Sequence, residues 1–190
     1  MMKLFGSKTS PFARKVRIVA AELGEPIDWV DTATEAGSAE HRAIAPIRKV
    51  PVAIVDGRTI FDSRVIIDYL ITTRGHGPLT PPRDVWHERN VLSAIDATVD
   101  SLIQVLYLAR DGATAGDYAR YAQRQRDRTA AILGWLPDQV SAEQFGLCEV
   151  AAICALDWID FRQMYPTGAA LAAVRAAWRD RPSVATTLPG

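Results

Sequence analysis

The stretch MMKLFGSKTSPFARKVR (residues 1–17) joins a short apolar run, which ends at Gly6, to a polar turn and a second patterned segment. Ser10 is a preferred helix N-cap, and Pro11 is favoured at the first helical position because its missing N–H is not needed there. The sequence therefore predicts a strand, a turn and a helix, with the Ser10 hydroxyl at the helix N-terminus. Such a place favours anions, including a thiolate, although capping alone also explains a serine here.

The composition indicates a globular chain without a preference for polyanions. The 190 residues allow one large or two small domains, and 48% of them are hydrophobic, which is enough for a core. The 22 Lys and Arg residues balance 22 Asp and Glu residues, so net charge predicts neither nucleic acid nor an anionic membrane as a partner. We expect no membrane-spanning run of roughly 20 apolar residues and no signal peptide.

The two cysteines, Cys148 and Cys154, fall in a stretch with helical spacing. With a rise of about 1.5 Å per residue, they lie too far apart along the helix axis to form a disulfide. We interpret them as reduced, buried thiols, which is typical of a cytoplasmic protein. No pattern of metal ligands accompanies them, and we expect no metal site.

The remainder of the first half predicts three further strands, two of them joined in a hairpin, and a second helix. Ile27–Asp31 alternates like a half-buried strand, and the next stretch has at most a short helix near residues 39–45. Lys49–Ile60 predicts a hairpin, because Asp-Gly is a strong hairpin signal. Asp62 or Ser63 then caps a helix, and the Gly and Pro residues that follow predict a linker.

The second half contains no convincing strand. Asp84 begins a long amphipathic helix, and a second helix is expected from Ala115 to about Leu136. Gly146 at an N-cap and Glu149 three residues later predict the start of a buried helix, and residues 169–179 predict a last short one. The tail that follows is expected to wrap the surface.

Three separated blocks of the first half resemble the thioredoxin-like domain of the glutathione transferases. They are Ser10-Pro11-Phe12 with Arg14-Lys15-Val16-Arg17, then Lys49-Val50-Pro51-Val52, then Phe61-Asp62-Ser63 with Asp68-Tyr69-Leu70. The resemblance implies an α/β thioredoxin-like N-terminal domain followed by an all-α C-terminal domain. In this interpretation residues 1–76 bind glutathione, residues 77–83 are a linker, and residues 84–190 form the helical domain.

The resemblance also implies roles for the three blocks. A free thiol is mostly unionised at neutral pH and only the thiolate is a good nucleophile, so Ser10, with Thr9 as the alternative, is expected to stabilise the glutathione sulfur as the catalytic hydroxyl. A cis-Pro51 would let Val50 pair with the cysteinyl backbone, while Lys49 meets the glycyl carboxylate. Asp62 would pair with the α-ammonium group, and Ser63 with the γ-glutamyl carboxylate.

The loop before the proline departs from the family pattern. Arg48 stands where members of the family often have Gly, so the loop backbone would differ if that position requires a positive φ. Arg48 is also an alternative partner for the glycyl carboxylate. The second substrate is expected near the end of the first long helix of the helical domain, at the positions Gln104, Tyr107, Leu108 and Asp111.

The function implied is that of a cytoplasmic, homodimeric glutathione transferase of a serine type found in bacteria. It would act in detoxification by adding glutathione, as co-substrate and without a cofactor, to small hydrophobic electrophiles. The alternative is a non-catalytic glutathione-binding or protein-interaction module of the same fold. A glutathione-dependent peroxidase or dehalogenase is a third reading, and thiol–disulfide chemistry is disfavoured because no Cys precedes Cys148.

Overall fold

The computed structural model describes residues 1–189. By its contacts the chain divides into two compact units. One comprises Met1–Pro81 together with the segment from Trp178 onwards, and the other comprises Pro82–Ala177. The predicted helical domain spans residues 84–190, whereas the segment from Trp178 onwards groups with the first unit.

The first unit is built on a four-stranded sheet flanked by helices. Its elements in chain order are β1 (Met2–Gly6), α1 (Pro11–Glu22), β2 (Ile27–Asp31), α2 (Glu35–Ile44), β3 (Val52–Val55), β4 (Arg58–Ile60) and α3 (Ser63–Arg74). The strand order is β2-β1-β3-β4, with β1 parallel to β2 and antiparallel to β3, and β3 antiparallel to β4. The predicted thioredoxin-like fold is confirmed.

The crossover between β2 and β3 contains a longer helix than the sequence predicted. Helix α2 spans ten residues, and its N-cap Thr34 accepts a hydrogen bond from the Gly37 N–H at 3.1 Å and donates one to the Asp31 carbonyl at 2.8 Å. A Cβ on Gly37 would lie 2.2 Å from that carbonyl oxygen, so only glycine permits this approach. The expectation of at most a short helix was wrong because this cap was overlooked.

The predicted hairpin is confirmed, and its turn explains the Asp-Gly pair. Asp56 and Gly57 have φ of +48° and +74°, which is the left-handed pair that a type I′ turn requires. The Asp56 carboxylate accepts hydrogen bonds from the Tyr69 hydroxyl and the Arg74 guanidinium, both at 2.8 Å. The hairpin tip is therefore tied to the last turns of α3.

The second unit is helical throughout its described elements. These are α4 (Val85–Arg110), α5 (Ala115–Trp135), a 3-10 turn (Leu136–Asp138), α6 (Leu147–Phe161) and α7 (Ala169–Trp178). The predicted cap of α6 is present, since the Glu149 carboxylate accepts hydrogen bonds from the N–H groups of Gly146 and Ser141, each at 2.9 Å. The predicted all-α part of the fold is confirmed.

Two features of these helices are an ion pair between α6 and α7 and the apolar composition of α4. Asp157 lies on the apolar helix α6, and its carboxylate pairs with the Arg175 guanidinium of α7 at 2.8 Å. Helix α4 is long and apolar enough to cross a membrane by length and composition, contrary to the expectation of no such run. Of its most apolar window 44% is buried inside the protein, and a single helix of this kind is weak evidence for a membrane span.

The C-terminal segment is fastened to α1 of the first unit. It contains a short helix, α8 (Pro182–Ala185), which packs on α1. The Arg14 guanidinium, 2% exposed, donates to the Thr187 hydroxyl and the Val184 carbonyl, both at 3.3 Å. Arg181 donates twice to the Glu22 carboxylate, at 2.7 and 2.6 Å. Arg14 is buried because the C-terminal segment covers it.

Candidate functional site

The three blocks singled out in the sequence meet at one edge of the sheet. Phe5 near the end of β1 pairs with Val52 at the start of β3, and Ala53 pairs with Ile60 at the end of β4. Because β3 runs opposite to both neighbours, the chain arrives at this edge on β1 and β4 and departs from it on β3. The residues after β1, before β3 and after β4 are therefore brought together.

Ser10 is the N-cap of α1, as predicted. Its Oγ accepts a hydrogen bond from the Ala13 N–H at 3.2 Å, and its own N–H donates to the Ser7 carbonyl at 3.0 Å. A hydroxyl has two acceptor lone pairs and one proton, so capping does not use the proton. Ser10 can cap the helix and donate to an anion at the same time.

The β1–α1 junction depends on a close approach of backbone and side chains at Gly6. A Cβ at this position would lie 2.7 Å from the Trp29 ring and 2.8 Å from the Cβ of Ala13. Both distances are shorter than real Cβ contacts, so glycine is required for the first turn of α1 to pack on the end of β1. This contact fixes where the Ser10 hydroxyl stands.

Thr9 has a different neighbour from Ser10. Its Oγ1 lies 3.5 Å from the Oγ of Ser7, and either hydroxyl can be the donor. Ser7 was not among the residues predicted from sequence, although a third hydroxyl in the same turn was the available signal. The turn thus carries three hydroxyls, of which only Ser10 caps the helix.

The second block has the backbone geometry that the family resemblance implied. The Val50–Pro51 peptide bond is cis, Pro51 is buried and Lys49 is exposed. Arg48 has φ of +49°, which is the left-handed conformation usually left to glycine. The loop therefore keeps a positive φ at this position despite the change of residue type.

The third block begins α3. The Asp62 Oδ1 accepts a hydrogen bond from the Arg64 N–H at 2.9 Å, so Asp62 is the N-cap, and Ser63 is the first helical residue. The Phe61–Asp62 peptide bond is cis as well. Asp62 is exposed and Ser63 is buried. An anionic acceptor and a helix N-terminus with a hydroxyl thus stand side by side.

His41 of α2 is a residue that sequence reasoning missed. It is 6% exposed, and its Nε2 lies 3.1 Å from the carbonyl oxygen of Lys49. Its ring also lies against Phe5, with ring centroids 6.4 Å apart. A lone histidine in a segment predicted to be irregular gave no signal of either contact.

Gln104, Tyr107 and Leu108 occupy the last turns of α4, and Asp111 is its C-cap. The Gln104 side chain accepts a hydrogen bond from the Tyr121 hydroxyl of α5. Tyr107 and Asp111 are exposed and Leu108 is half-buried. The Arg110 guanidinium lies 4.8 Å from the centre of the Tyr107 ring. Gln104 is thus engaged inside the helical unit, while Tyr107 presents its ring face to a cation.

Thiol and metal chemistry find little support elsewhere in the chain. Burial, with a contribution from the carboxylates of Glu149 and Glu88, raises the pKa of the Cys148 thiol to about 12. Both cysteines are free, and Cys154 is buried as predicted, whereas Cys148, in the first turn of α6, is only half-buried. In residues 1–189 no group of three or more His, Cys, Asp or Glu side chains is placed to hold a metal ion.

A cavity of about 500 Å³ between β4 and α3 is lined by none of the predicted site residues.

The four-stranded sheet, the cis-proline loop and the two capped helix N-termini at one sheet edge define a thioredoxin-like domain joined to a helical unit. Residues 4–78 match the glutathione S-transferase N-terminal domain. The uncharacterized GST-like protein YibF of Escherichia coli K12 is 30% identical over 173 residues, which cover 87% of this chain and 85% of that protein. The chain belongs to the glutathione S-transferase family.

Two solved structures of the family resemble the whole chain. A glutathione S-transferase from Methylobacillus flagellatus KT, with glutathione bound, has a TM-score of 0.81 and 31% identity over 100% of both chains. A glutathione transferase family member from Pseudomonas fluorescens Pf-5, also with bound glutathione, has a TM-score of 0.85 and 26% identity over 100% of both chains.

Proposed function

We propose that this protein is a glutathione transferase of the serine type, which conjugates the glutathione thiolate to small hydrophobic electrophiles. The observation that carries the proposal is the strand register, which gathers the Ser10, Val50–Pro51 and Asp62–Ser63 blocks at one sheet edge. The glutathione bound to the two solved relatives supports the same ligand here.

Ser10 is proposed to act on the sulfur atom. Its hydroxyl proton donates to the thiolate while its lone pair still caps α1, and both the hydrogen bond and the helix N-terminus favour the anion. The glutathione thiol loses its proton to solvent, and the sulfur forms a bond to the electrophilic carbon. A leaving group, where present, departs with the bonding electron pair; where there is none, the electrons of the attacked π bond move onto the neighbouring atoms, which take a proton from solvent. Thr9, beside Ser7, is the alternative donor.

The other two blocks are proposed to bind the remainder of the tripeptide. The backbone of Val50, before cis-Pro51, takes the cysteinyl part in the manner of an added strand, and Lys49 or Arg48 meets the glycyl carboxylate. Asp62 takes the α-ammonium group, and Ser63 with the N-terminus of α3 takes the γ-glutamyl carboxylate. No cofactor is required by this scheme.

The second candidate is a glutathione-binding or protein-interaction module without catalysis. It is favoured by one observation, the engagement of Gln104 with Tyr121, which occupies a side chain expected to meet the second substrate. Tyr107, Leu108 and Asp111 then remain as the residues of α4 proposed to contact the electrophile. A peroxidase or dehalogenase would use the same thiolate and is the third candidate.

Retention on immobilised glutathione combined with conjugation assays tests the proposal. We expect the protein to be retained, to elute with free glutathione, and to accelerate conjugation to chlorodinitrobenzene or to another member of a broad electrophile panel. Retention without conjugation of any of them would favour the module. Failure of both retention and conjugation would contradict both glutathione assignments.

The cellular setting and assembly are part of the same proposal. We propose a cytoplasmic homodimer that acts in detoxification, since a two-fold dimer is the commonest homo-oligomer and the family resemblance implies it. The half-exposed Val65 on α3 supplies apolar surface for such a contact. Sedimentation of the purified protein as a monomer at micromolar concentration would contradict the dimer.

A further inference from the structure

The loop that carries Lys49 and Val50 has little support of its own. Its residues Pro46, Ile47, Arg48 and Lys49 are exposed, and Arg48 adopts a conformation that an L-residue rarely takes. Flexible exposed loops hold a binding geometry poorly unless a buried group fixes them. The contact from His41 to the Lys49 carbonyl is such a group.

The chemistry of this contact shows which ring nitrogen of His41 carries a hydrogen. A carbonyl oxygen only accepts hydrogen bonds, so Nε2 must carry the proton that points at Lys49. The carbonyl belongs to the peptide unit that joins Lys49 to Val50. Holding this unit therefore sets both the direction of the Lys49 side chain and the backbone orientation of Val50.

The histidine is itself held from two sides. Its ring packs against Phe5 of β1, which pairs with Val52 just after the cis-proline. The other end of α2 is fixed to the end of β2 by the Thr34 hydrogen bond to the Asp31 carbonyl. Helix α2 thus connects the rigid sheet to the loop through His41.

We propose that His41 is a positioning residue, which holds the Lys49–Val50 peptide unit so that the loop recognises the glycyl end of glutathione. This proposal rests on the proposed glutathione-binding function. It predicts that loss of the Nε2–H donor weakens selection for the glycyl group specifically, and does not weaken all ligands alike.

The test compares glutathione with γ-glutamylcysteine, which lacks the glycine, by titration calorimetry. His41→Phe keeps a buried aromatic ring without the donor, and Glu35→Gln, at an exposed position in the first turn of α2, is the matched control. We expect His41→Phe to weaken glutathione binding about fivefold, the loss of roughly one hydrogen bond, and to weaken γ-glutamylcysteine binding much less. The variant His41→Gln, which retains an N–H donor, should recover part of the preference. An equal loss for both ligands would overturn the proposal.

A second measurement tests the positioning without any ligand. Amide hydrogen exchange of residues 48–50 in the unliganded protein should be about tenfold faster in His41→Phe than in wild type, because the local opening costs less free energy. Glu35→Gln should match wild type. Unchanged exchange in His41→Phe would overturn the positioning role. If wild type bound neither ligand, the proposed function and the recognition of the glycyl end would both fail, whereas the exchange result would still decide the positioning role.

Discussion

Helices α1 and α3 start at the same sheet edge, pack against each other and are each 12 residues long, yet their caps differ in chemistry. Ser10 caps α1 with a hydroxyl, which still has a proton to donate. Asp62 caps α3 with a carboxylate, which only accepts. The same helix position therefore offers a hydrogen-bond donor in α1, which is suited to a thiolate, and an anionic acceptor in α3, which is suited to an ammonium group.

The far ends of the two helices differ in burial. At the end of α1, the Glu22 carboxylate is 8% exposed and is paired with Arg181. At the end of α3, Arg74 pairs with Glu25, whose side chain is also 8% exposed, and with Asp56, whose side chain is 47% exposed. The comparison of burial is therefore between the Glu22–Arg181 and Asp56–Arg74 pairs. The more deeply buried pair is expected to contribute more to stability, because water and salt screen an exposed pair.

Removing the proton of the α1 cap should give the largest effect. We expect Ser10→Ala to lower kcat/KM for conjugation about a hundredfold, as loss of a donor to a developing or bound anion does elsewhere, with little change in glutathione affinity. Steady-state kinetics and calorimetry measure the two quantities. Thr9→Val is the matched control, and if it lost the rate in place of Ser10→Ala, Thr9 would be the catalytic hydroxyl.

Loss of the cap must be separated from loss of the chemistry in that experiment. Ser10→Gly also removes the hydroxyl, but glycine at an N-cap costs only a few tenths of a kcal/mol, against about 1 kcal/mol for alanine. Equal activity of the two variants together with different urea midpoints would show that the rate depends on the hydroxyl and not on helix stability.

Neutralising the α3 cap should affect binding and not the rate. Asp62→Asn keeps a good N-cap but removes the charge, so we expect glutathione affinity to fall about thirtyfold, which is typical of a lost charge-assisted hydrogen bond. The value of kcat at saturating glutathione should stay near wild type. Calorimetry and kinetics check this, and a fall in kcat with unchanged affinity would reverse the assignments of the two caps.

The distal ion pairs extend the comparison to stability. Glu22→Gln should lower the free energy of unfolding by about 1.5 kcal/mol, because a largely buried charged hydrogen-bond pair is lost. Asp56→Asn, which keeps a residue suited to the left-handed turn, should cost less. Urea unfolding of both variants measures the difference, and a larger loss in Asp56→Asn would contradict the ranking by burial.

The same pair should give a signed dependence on pH. Burial raises the pKa of Glu22, but the hydrogen bonds from Arg181 and Ser183 outweigh it, so the folded-state pKa lies below its ordinary value of 4.5. The stability from this group is therefore complete above 4.5 and is lost as pH falls through the lower folded-state pKa. The difference in the free energy of unfolding between wild type and Glu22→Gln should therefore decrease as pH falls through that range. An increase would contradict a lowered pKa of Glu22 in the folded state.

The smallest expected effect concerns Arg48, in the loop between α2 and β3. Because an L-residue in the left-handed region costs about 1 kcal/mol relative to glycine, Arg48→Gly should raise the free energy of unfolding by up to that amount. Thermal or urea unfolding checks the gain. Glutathione affinity should stay unchanged if Lys49 alone meets the glycyl carboxylate, and it should fall if Arg48 shares that contact.

The features predicted well from sequence are those with local causes. Ser10 and Asp62 are recognisable as caps because a helix N-terminus needs an acceptor within a few residues. Asp56-Gly57 marks the hairpin because the turn needs two left-handed residues in succession. These local signals predicted strands and helices of the first half, while the fold and the candidate site blocks came from the resemblance of three sequence blocks to the glutathione transferases.

The features missed from sequence depend on distant partners. Arg14 is buried because Thr187, 173 residues later, covers it, and no local pattern records that contact. His41 reaches Lys49 only because α2 is a full helix, and the prediction gave that segment too little helix. The composition around Thr34 was polar and small, which hid the cap that starts it.

The attachment of the C-terminal segment to α1 makes the helical unit an insertion within the first one. A fragment that ends at Pro81 would retain the sheet but lose Arg181, Val184 and Thr187, and so would leave Arg14 and Glu22 without these partners. Two charged groups would then face solvent or an apolar helix surface. A shortened chain that joins residue 81 to residue 178 through a flexible linker should restore both contacts, and is the natural minimal form of the first unit.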